Sequence, residues 1–170
     1  MDEASVAEIT RLMMRYCEFQ DAADFDRVGE LFEQGAYIID GVSESYIGSQ
    51  AIAAMKKKYD RTYADGTLRT KHVTTNAVIE IDEGGDTAHA RSYFVVYQQL
   101  PDLPLQAIIA GRYHDRFVRS GSTWGFAERR VLSDLIGNMT GHTVDSPLDR
   151  ALAQRVADEQ KEVQPHGRRG

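Results

Sequence analysis

The run LRTKHVTTN, residues 68–76, marks the point at which this chain of 170 residues changes character. Before it, apolar residues recur at steps of three and four, a spacing that is typical of amphipathic helices. After it, long runs rich in β-branched and aromatic residues alternate with short breaks that contain Gly, Pro or Asp. The sequence therefore predicts an α+β fold in which helices precede a meander of strands.

Three helices are predicted before this run. The first covers residues 4–20, Asp24 can cap a shorter second helix, and Gly48 opens a third. Residues 35–40, between the second and third helices, have a β-like pattern.

Four long strands are predicted from the run onward, at residues 68–82, 87–99, 105–119 and 123–133. Several of them are apolar at both parities, so the sheet should be covered on both faces. Helices can cover one face, and a partner subunit is expected to cover the other. The sequence thus predicts a homo-oligomer, either a dimer or a trimer.

The chain changes character again before its C-terminal segment. A helix start at Ser146 is followed by a narrow apolar stripe, and residues 164–170 are predicted to be disordered. The stripe consists of Leu148, Leu152 and Val156. We therefore divide the chain into a domain at residues 1–145 and a C-terminal helix with its tail at residues 146–170.

Composition narrows the classes of function. The formal net charge of -6 comes without the clustered Lys and Arg that phosphate binding needs, so no nucleic-acid partner is expected. No apolar run approaches the roughly 18 residues of a membrane span. The single cysteine, Cys17, can form no internal disulfide, and we expect a cytoplasmic protein. The histidines lack the H-E-x-x-H spacing and no glycine-rich nucleotide motif is present, so neither a metal nor a cofactor is expected.

Asp21 and His72 are the candidate catalytic pair. If the fold brings them together, the carboxylate can orient the imidazole and stabilise its cation, which would make His72 a general base. The alternative is an exposed histidine, because His72 shares its strand parity with Thr74 whereas Ile79 and Ile81 occupy the other, apolar parity.

The order of the elements and four groups of short motifs carry a resemblance to a known family. The motifs are MRYCEFQD at residues 14–21 with DFDR at 24–27, LF at 31–32, LRTKH at 68–72, and GRYHDRF at 111–117 with WGF at 124–126. In these the chain resembles the NTF2-like proteins, specifically their SnoaL-like branch, which includes the scytalone dehydratases. The resemblance implies a cone of three N-terminal helices packed on a curved, mixed and largely antiparallel sheet, with a C-terminal helix.

The resemblance also implies a function. Asp21 and His72 stand where scytalone dehydratases carry their catalytic aspartate and histidine, so it implies a cofactor-independent lyase that acts on a small, cyclic, mostly apolar substrate. Other positions depart from that family, which has tyrosines and a second histidine where this chain has Gln20, Asp40 and Tyr97. The expected substrate-binding residues are Tyr16, Gln20, Asp40, Tyr97 and Tyr113.

Two alternatives stay open at this point. The interval from Tyr16 to Asp40 equals that between the tyrosine and the base of ketosteroid isomerases, which would allow proton transfer without His72. The chain could also be a non-catalytic module for ligand binding or assembly. A further cluster, HD at residues 114–115 between Arg112 and Arg116, is expected to be a solvated or interface charge network.

Overall fold

A computed structural model describes residues 2–163 of the chain, with the side chains of 156 and 159–163 left out. Its elements are α1 (Glu3–Asp21), α2 (Phe25–Glu30), β1 (Ala36–Ile39), β2 (Ser45–Ile47), α3 (Ser49–Tyr59), β3 (Thr70–Ile81), β4 (Thr87–Leu100), β5 (Leu103–Ser120), β6 (Thr123–Ile136) and α4 (Pro147–Val163). The predicted disorder of residues 164–170 lies outside the described residues. No helix among the described residues is long and apolar enough to cross a membrane.

The strands form one sheet in the order β2-β1-β6-β5-β4-β3. Three consecutive antiparallel hairpins connect β3, β4, β5 and β6. Strand β1 pairs with β6 in parallel, so the sheet is mixed. The predicted α+β class and the cone of three N-terminal helices on a curved sheet are confirmed. Strand β2 was not predicted, because three residues are too few to show a period.

Helix α1 begins where Asp2 caps it by accepting a hydrogen bond from the Ser5 backbone N–H at 3.2 Å. Its apolar stripe, which includes the fully buried Ile9 and Met13, packs on the inner face of the sheet with the rest of the core. Aromatic rings fill much of that core, as in the stacked pair of Phe32 and Phe126, whose ring centres lie 4.8 Å apart.

A buried ion pair crosses the centre of the core between β5 and β6. Asp115 and Arg129 are paired in register, both side chains are 0% exposed, and two hydrogen bonds of 2.9 and 2.7 Å join them. The guanidinium also lies over the rings of Tyr113 and Tyr16, at 4.0 and 4.2 Å from their centres. The prediction of a solvated network was therefore wrong for Asp115, because it shares the inward parity of Tyr113 and Phe117.

A bulge in β3 changes which side chains face the core. The register with β4 shifts between Thr75 and Val78, and Asn76 takes a left-handed backbone with φ +53°. As a result, Ile79 and His72 face the same side of the sheet although they lie on either side of the bulge. Both are partly buried. The expected strict alternation, which placed His72 on the opposite face from Ile79 and Ile81, was wrong because of this one extra residue.

Helix α4 docks on the domain by one face. Leu152 is buried and Leu148 packs against the core, while Arg155 donates a hydrogen bond of 2.6 Å to the Ser133 carbonyl. The third residue of the predicted stripe, Val156, has its side chain outside the described set. Ser146 and Asp149 cap the helix reciprocally, with hydrogen bonds of 3.0 and 2.9 Å between the side chain of each and the backbone N–H of the other.

The outer face of the sheet carries exposed apolar side chains that none of the described helical residues covers. Val73, Tyr93 and Tyr97, here called the outer patch, are 40%, 54% and 39% exposed and occupy adjoining positions on β3 and β4. We predict that this patch joins subunits into a dimer or trimer.

In this prediction, Tyr93→Asp lowers the mass measured by sedimentation to that of the monomer, because a carboxylate is costly to bury in an apolar interface. Ile47→Asp is the control, since Ile47 is also exposed, at 66%, but lies on β2 at the far edge of the sheet. A wild-type chain that sediments as a stable monomer at micromolar concentration would contradict the prediction.

Candidate active site

Asp21 and His72 meet where the end of α1 lies against the start of β3. The Asp21 Oδ1 is 2.6 Å from the His72 Nδ1, and the same carboxylate accepts hydrogen bonds from the Thr70 hydroxyl at 2.7 Å and from the His72 backbone N–H at 3.1 Å. The two side chains are only 12% and 6% exposed. The structure therefore brings the predicted pair together.

The surroundings of Asp21 keep it ionised. Burial alone would raise the pKa of this carboxyl, but the hydrogen bonds from His72 and Thr70, together with the attraction that His72 exerts when it is protonated, outweigh burial and hold the pKa below its usual value. The hydrogen bond to a carboxylate also assigns the imidazole proton to Nδ1, so Nε2 carries the lone pair.

The His72 ring separates an open groove from a closed cavity. The groove, of about 1120 Å³, is lined by Asp21 and reaches the carboxylate side of the pair. The cavity, of about 70 Å³, lies among α1, α3, the inner face of the sheet and residues 139–148, which we call the cap. The His72 ring lines both spaces, and because Asp21 occupies Nδ1, Nε2 is the ring nitrogen left for a ligand.

Most of the cavity wall is apolar or aromatic. Two of the predicted substrate-binding residues, Tyr16 and Tyr113, belong to this wall and are buried. The Tyr113 ring stacks on Phe94 with 4.4 Å between ring centres, and burial raises the pKa of its hydroxyl well above the usual range. Tyr113 is thus a neutral phenol in the wall.

A buried lysine on α3 supplies a positive charge to the cavity. The Lys56 Nζ lies 3.5 Å from the Asp60 carboxylate and donates a hydrogen bond of 3.3 Å to the Tyr37 hydroxyl. Burial alone would lower the pKa of Lys56, but the Asp60 carboxylate acts together with Tyr16 and Tyr37 to outweigh burial and raise this pKa well above its usual value. Lys56 is therefore an ammonium group and not a nucleophilic amine.

Two phenols extend this hydrogen-bonded row. The hydroxyl oxygens of Tyr37 and Tyr16 are 3.0 Å apart, and burial is the main cause that raises the pKa of Tyr16. Both side chains line the cavity. The row from Lys56 through Tyr37 to Tyr16 can donate hydrogen bonds to an oxygen that gains negative charge.

Gln20 supports this row from behind the cavity. It is buried, and its Nε2 donates a hydrogen bond of 2.6 Å to the Asp60 carboxylate. Gln20 thus holds the counter-ion of Lys56 in place. It does not line the cavity.

Two predicted substrate-binding residues lie elsewhere, and their placement corrects the sequence prediction. Asp40 is exposed beside α4, because it follows Ile39, whose side chain takes the inward position at the end of β1. Tyr97 belongs to the outer face, since its neighbours Val96 and Gln98 take the inward positions on β4. Tyr97 lines the groove on the Asp21 side of the pair.

Sequence reasoning missed four residues of the site: Tyr37, Lys56, Asp60 and His142. Helical spacing could have indicated Lys56, because it lies four residues after Ile52 on the apolar face of α3. His142, in the cap, has no periodic signal. The described residues gather no three side chains of His, Cys, Asp or Glu into a metal site.

The fold and the site together define an α+β cone with a carboxylate–imidazole pair at a closed apolar cavity. The model of the SnoaL-like domain matches residues 3–130, and the chain belongs to this family. No curated protein matches it.

Solved structures are similar over most of the chain. A protein of unknown function from Mycobacterium tuberculosis is 24% identical, with a TM-score of 0.66 over 93% of this chain and 90% of that one. An NTF2-like protein with a cystatin-like fold from Novosphingobium aromaticivorans is 25% identical, with a TM-score of 0.63 over 74% and 79%. A protein assigned as a scytalone dehydratase from the same bacterium is 18% identical, with a TM-score of 0.62 over 79% and 87%.

We predict that Asp21→Asn lowers the free energy of unfolding by about 2 kcal/mol near neutral pH, as expected for weakening hydrogen bonds to a buried charged group. The folded-state pKa of Asp21 is depressed, so its stabilisation is complete above the usual value of 3.8 and is lost as the pH falls below it. Urea unfolding of both proteins from neutral to acidic pH should show the difference shrinking.

Asp82→Asn is the matched control. Asp82 faces His89 at 3.6 Å on the surface, where both side chains are about half exposed, and such a pair contributes little to stability. A difference between wild type and Asp21→Asn that stays constant through acidic pH would show that the carboxylate charge is not what stabilises this junction.

Proposed function

We propose that this protein is a cofactor-independent lyase, a dehydratase that acts on a small, cyclic, mostly apolar β-hydroxyketone. The observation that carries the proposal is the 2.6 Å contact between Asp21 and His72 beside a closed apolar cavity. A histidine oriented in this way has a free Nε2 that can accept a proton from carbon. Membership of the SnoaL-like family supports a small-ligand site within the cone.

The first step is removal of a proton next to the substrate carbonyl. The His72 Nε2 takes the proton from the α-carbon, and the electrons of the C–H bond form the enolate. Asp21 stabilises the imidazolium that results, because its carboxylate stays ionised and bonded to Nδ1–H. General-base catalysis of this kind contributes about 10²–10⁴-fold to the rate.

The enolate oxygen is stabilised by other polar groups of the cavity wall. Tyr37 and Lys56 can provide a hydrogen bond and a positive charge there, and both are held before substrate arrives by their mutual contact of 3.3 Å. Such preorganised donors act strongly in a site from which water is excluded.

The second step expels the hydroxyl group. The enolate collapses, a double bond forms between the α- and β-carbons, and the bond from the β-carbon to oxygen breaks. The His72 imidazolium returns its proton to the departing oxygen, so the products are an enone and water and the enzyme regains its starting state. No external oxidant or reductant enters this balance.

The two alternatives are weighed by geometry. Proton transfer by Asp40 and Tyr16 is not favoured, because Asp40 is exposed beside α4 and away from the cavity that Tyr16 lines. A non-catalytic binding module is the second candidate. The cavity of about 70 Å³ is smaller than the roughly 300–1,000 Å³ of pockets that hold drug-sized ligands, which favours an assembly role for such a module over ligand binding.

The test uses cyclohexanone and β-hydroxycyclohexanone as probes. Exchange of the cyclohexanone α-protons in deuterated water, followed by proton NMR, reports proton removal, and the absorbance of the conjugated enone reports elimination. We predict that His72→Gln and Asp21→Asn each slow both reactions by about 10²–10⁴-fold, the size of a general-base contribution.

His89→Gln and Asp82→Asn are the matched controls, because they alter a similar pair on the surface. Both should react like the wild type. Wild-type protein that catalyses neither reaction, or a His72→Gln variant that retains both rates, would contradict the general-base proposal and favour the binding module.

Pro147 and Leu148, at the start of α4, form part of the cavity wall, and we infer that the cap moves when a substrate enters. We predict that a chain ending at residue 145 keeps the thermal unfolding of the core but loses turnover or affinity, since water then reaches His72. Leu148→Ala should have the same effect in weaker form. Leu135→Ala is the control, because Leu135 is exposed.

If the shortened chain instead bound and turned over the probes like the full chain, the C-terminal helix would be a peripheral or assembly element and not a cover for the site.

A further inference from the structure

His142 is a second imidazole at the cavity, and the steps described above do not use it. Its side chain lines the cavity, the residue is 7% exposed, and its ring centre lies 6.0 Å from that of His72. Its Nδ1 is fully buried and has no hydrogen-bond partner among the described residues. A buried polar atom left in this state is costly unless something else binds it.

The backbone around His142 is firmly placed. The Gly141 carbonyl accepts hydrogen bonds from the Tyr63 hydroxyl at 2.7 Å and the Gln98 Nε2 at 3.0 Å, and the His142 carbonyl accepts one from the Arg61 backbone N–H at 2.9 Å. A side chain at position 141 would come within 2.4 Å of a Leu100 methyl group and would displace that side chain. The ring is therefore held at the cavity by structure outside the cavity itself.

The ring is neutral in this setting. Burial is the main cause that lowers the pKa of His142 to about 4, and the nearby charges of His72 and Lys56 act in the same direction. The carboxylates of Asp60 and Asp149 oppose this shift without overcoming it. A neutral imidazole can still donate or accept a hydrogen bond, although it cannot serve as a strong acid.

We propose that His142 is a further catalytic residue, whose ring binds the departing oxygen of the substrate opposite His72. This inference rests on the proposed dehydration. Two hydrogen bonds to one oxygen span up to about 5.5 Å between the two nitrogen atoms, a distance that rings 6.0 Å apart can accommodate. His142 is thus a hydrogen-bonding partner that holds the hydroxyl group where the His72 imidazolium can protonate it.

This role assigns a specificity to the site. Removal of the α-proton needs only a carbonyl compound, whereas expulsion of the β-oxygen also needs His142. The site should therefore prefer substrates with a hydroxyl group in the β position over the corresponding simple ketones, because a bound hydroxyl gains a hydrogen bond to the His142 ring.

The test compares elimination from β-hydroxycyclohexanone with proton exchange in cyclohexanone, using the full chain. We expect His142→Leu to lower the ratio of elimination to exchange by about 100-fold, as for loss of one donor to a developing charge. His142→Asn should restore part of the ratio, because its amide can place a hydrogen-bonding group near the position of Nδ1. His114→Leu is the control, since His114 is exposed on β5.

NMR of the histidine rings in the wild type gives a reading that does not depend on a variant's folding. The His142 signal, assigned by its loss in His142→Leu, should move when β-hydroxycyclohexanone is added and move less with cyclohexanone. A hydroxyketone that binds without moving this signal, or equal losses of exchange and elimination in His142→Leu, would overturn the inference. Failure of the general-base proposal is seen separately, as absent exchange while the His142 signal still responds.

Discussion

The carboxylate of Asp21 is the interaction on which both the fold and the candidate site depend. Asp21 is the last residue of α1. Its carboxylate accepts hydrogen bonds from Thr70 and from the backbone and ring of His72, at the start of β3. The Asp21 carbonyl also accepts the Leu68 backbone N–H at 3.2 Å. The bonds that join the end of α1 to the start of β3 are therefore the same bonds that orient the imidazole, so the geometry of the site is fixed by folding itself.

The remaining charges in the interior are arranged in compensated pairs. Lys56 lies against Asp60, which Gln20 holds, and this pair provides a cation at the cavity that keeps its charge despite burial. Such pairing is needed because an isolated charge is strongly disfavoured at low dielectric. Burial likewise raises the pKa of Tyr16, so the wall of the cavity combines hydrogen-bond donors with the imidazole of His72.

The sequence was sufficient where local pattern controls structure. The helical period placed α1 to within a residue at each end, and the LRTKH motif placed His72 on its strand. The sequence was insufficient where a backbone irregularity or a tertiary contact decides which way a side chain faces. The bulge at Asn76 reverses the facing of the second half of β3, and no periodicity foretells it. His142 reaches the cavity only because the cap folds back over the sheet, which is a property of the whole chain.

The pair of Asp115 and Arg129 has a consequence for how this family can vary. Both groups are sealed beneath Tyr16 and Tyr113, so losing one partner would strand the other charge in the core at a cost of about 3–5 kcal/mol. Replacement of both by apolar residues of similar volume carries no such penalty. The two positions are therefore expected to covary, so that relatives with this core keep both ions or neither. The layer beneath Tyr16 and Tyr113 would then change by substitution of both residues together.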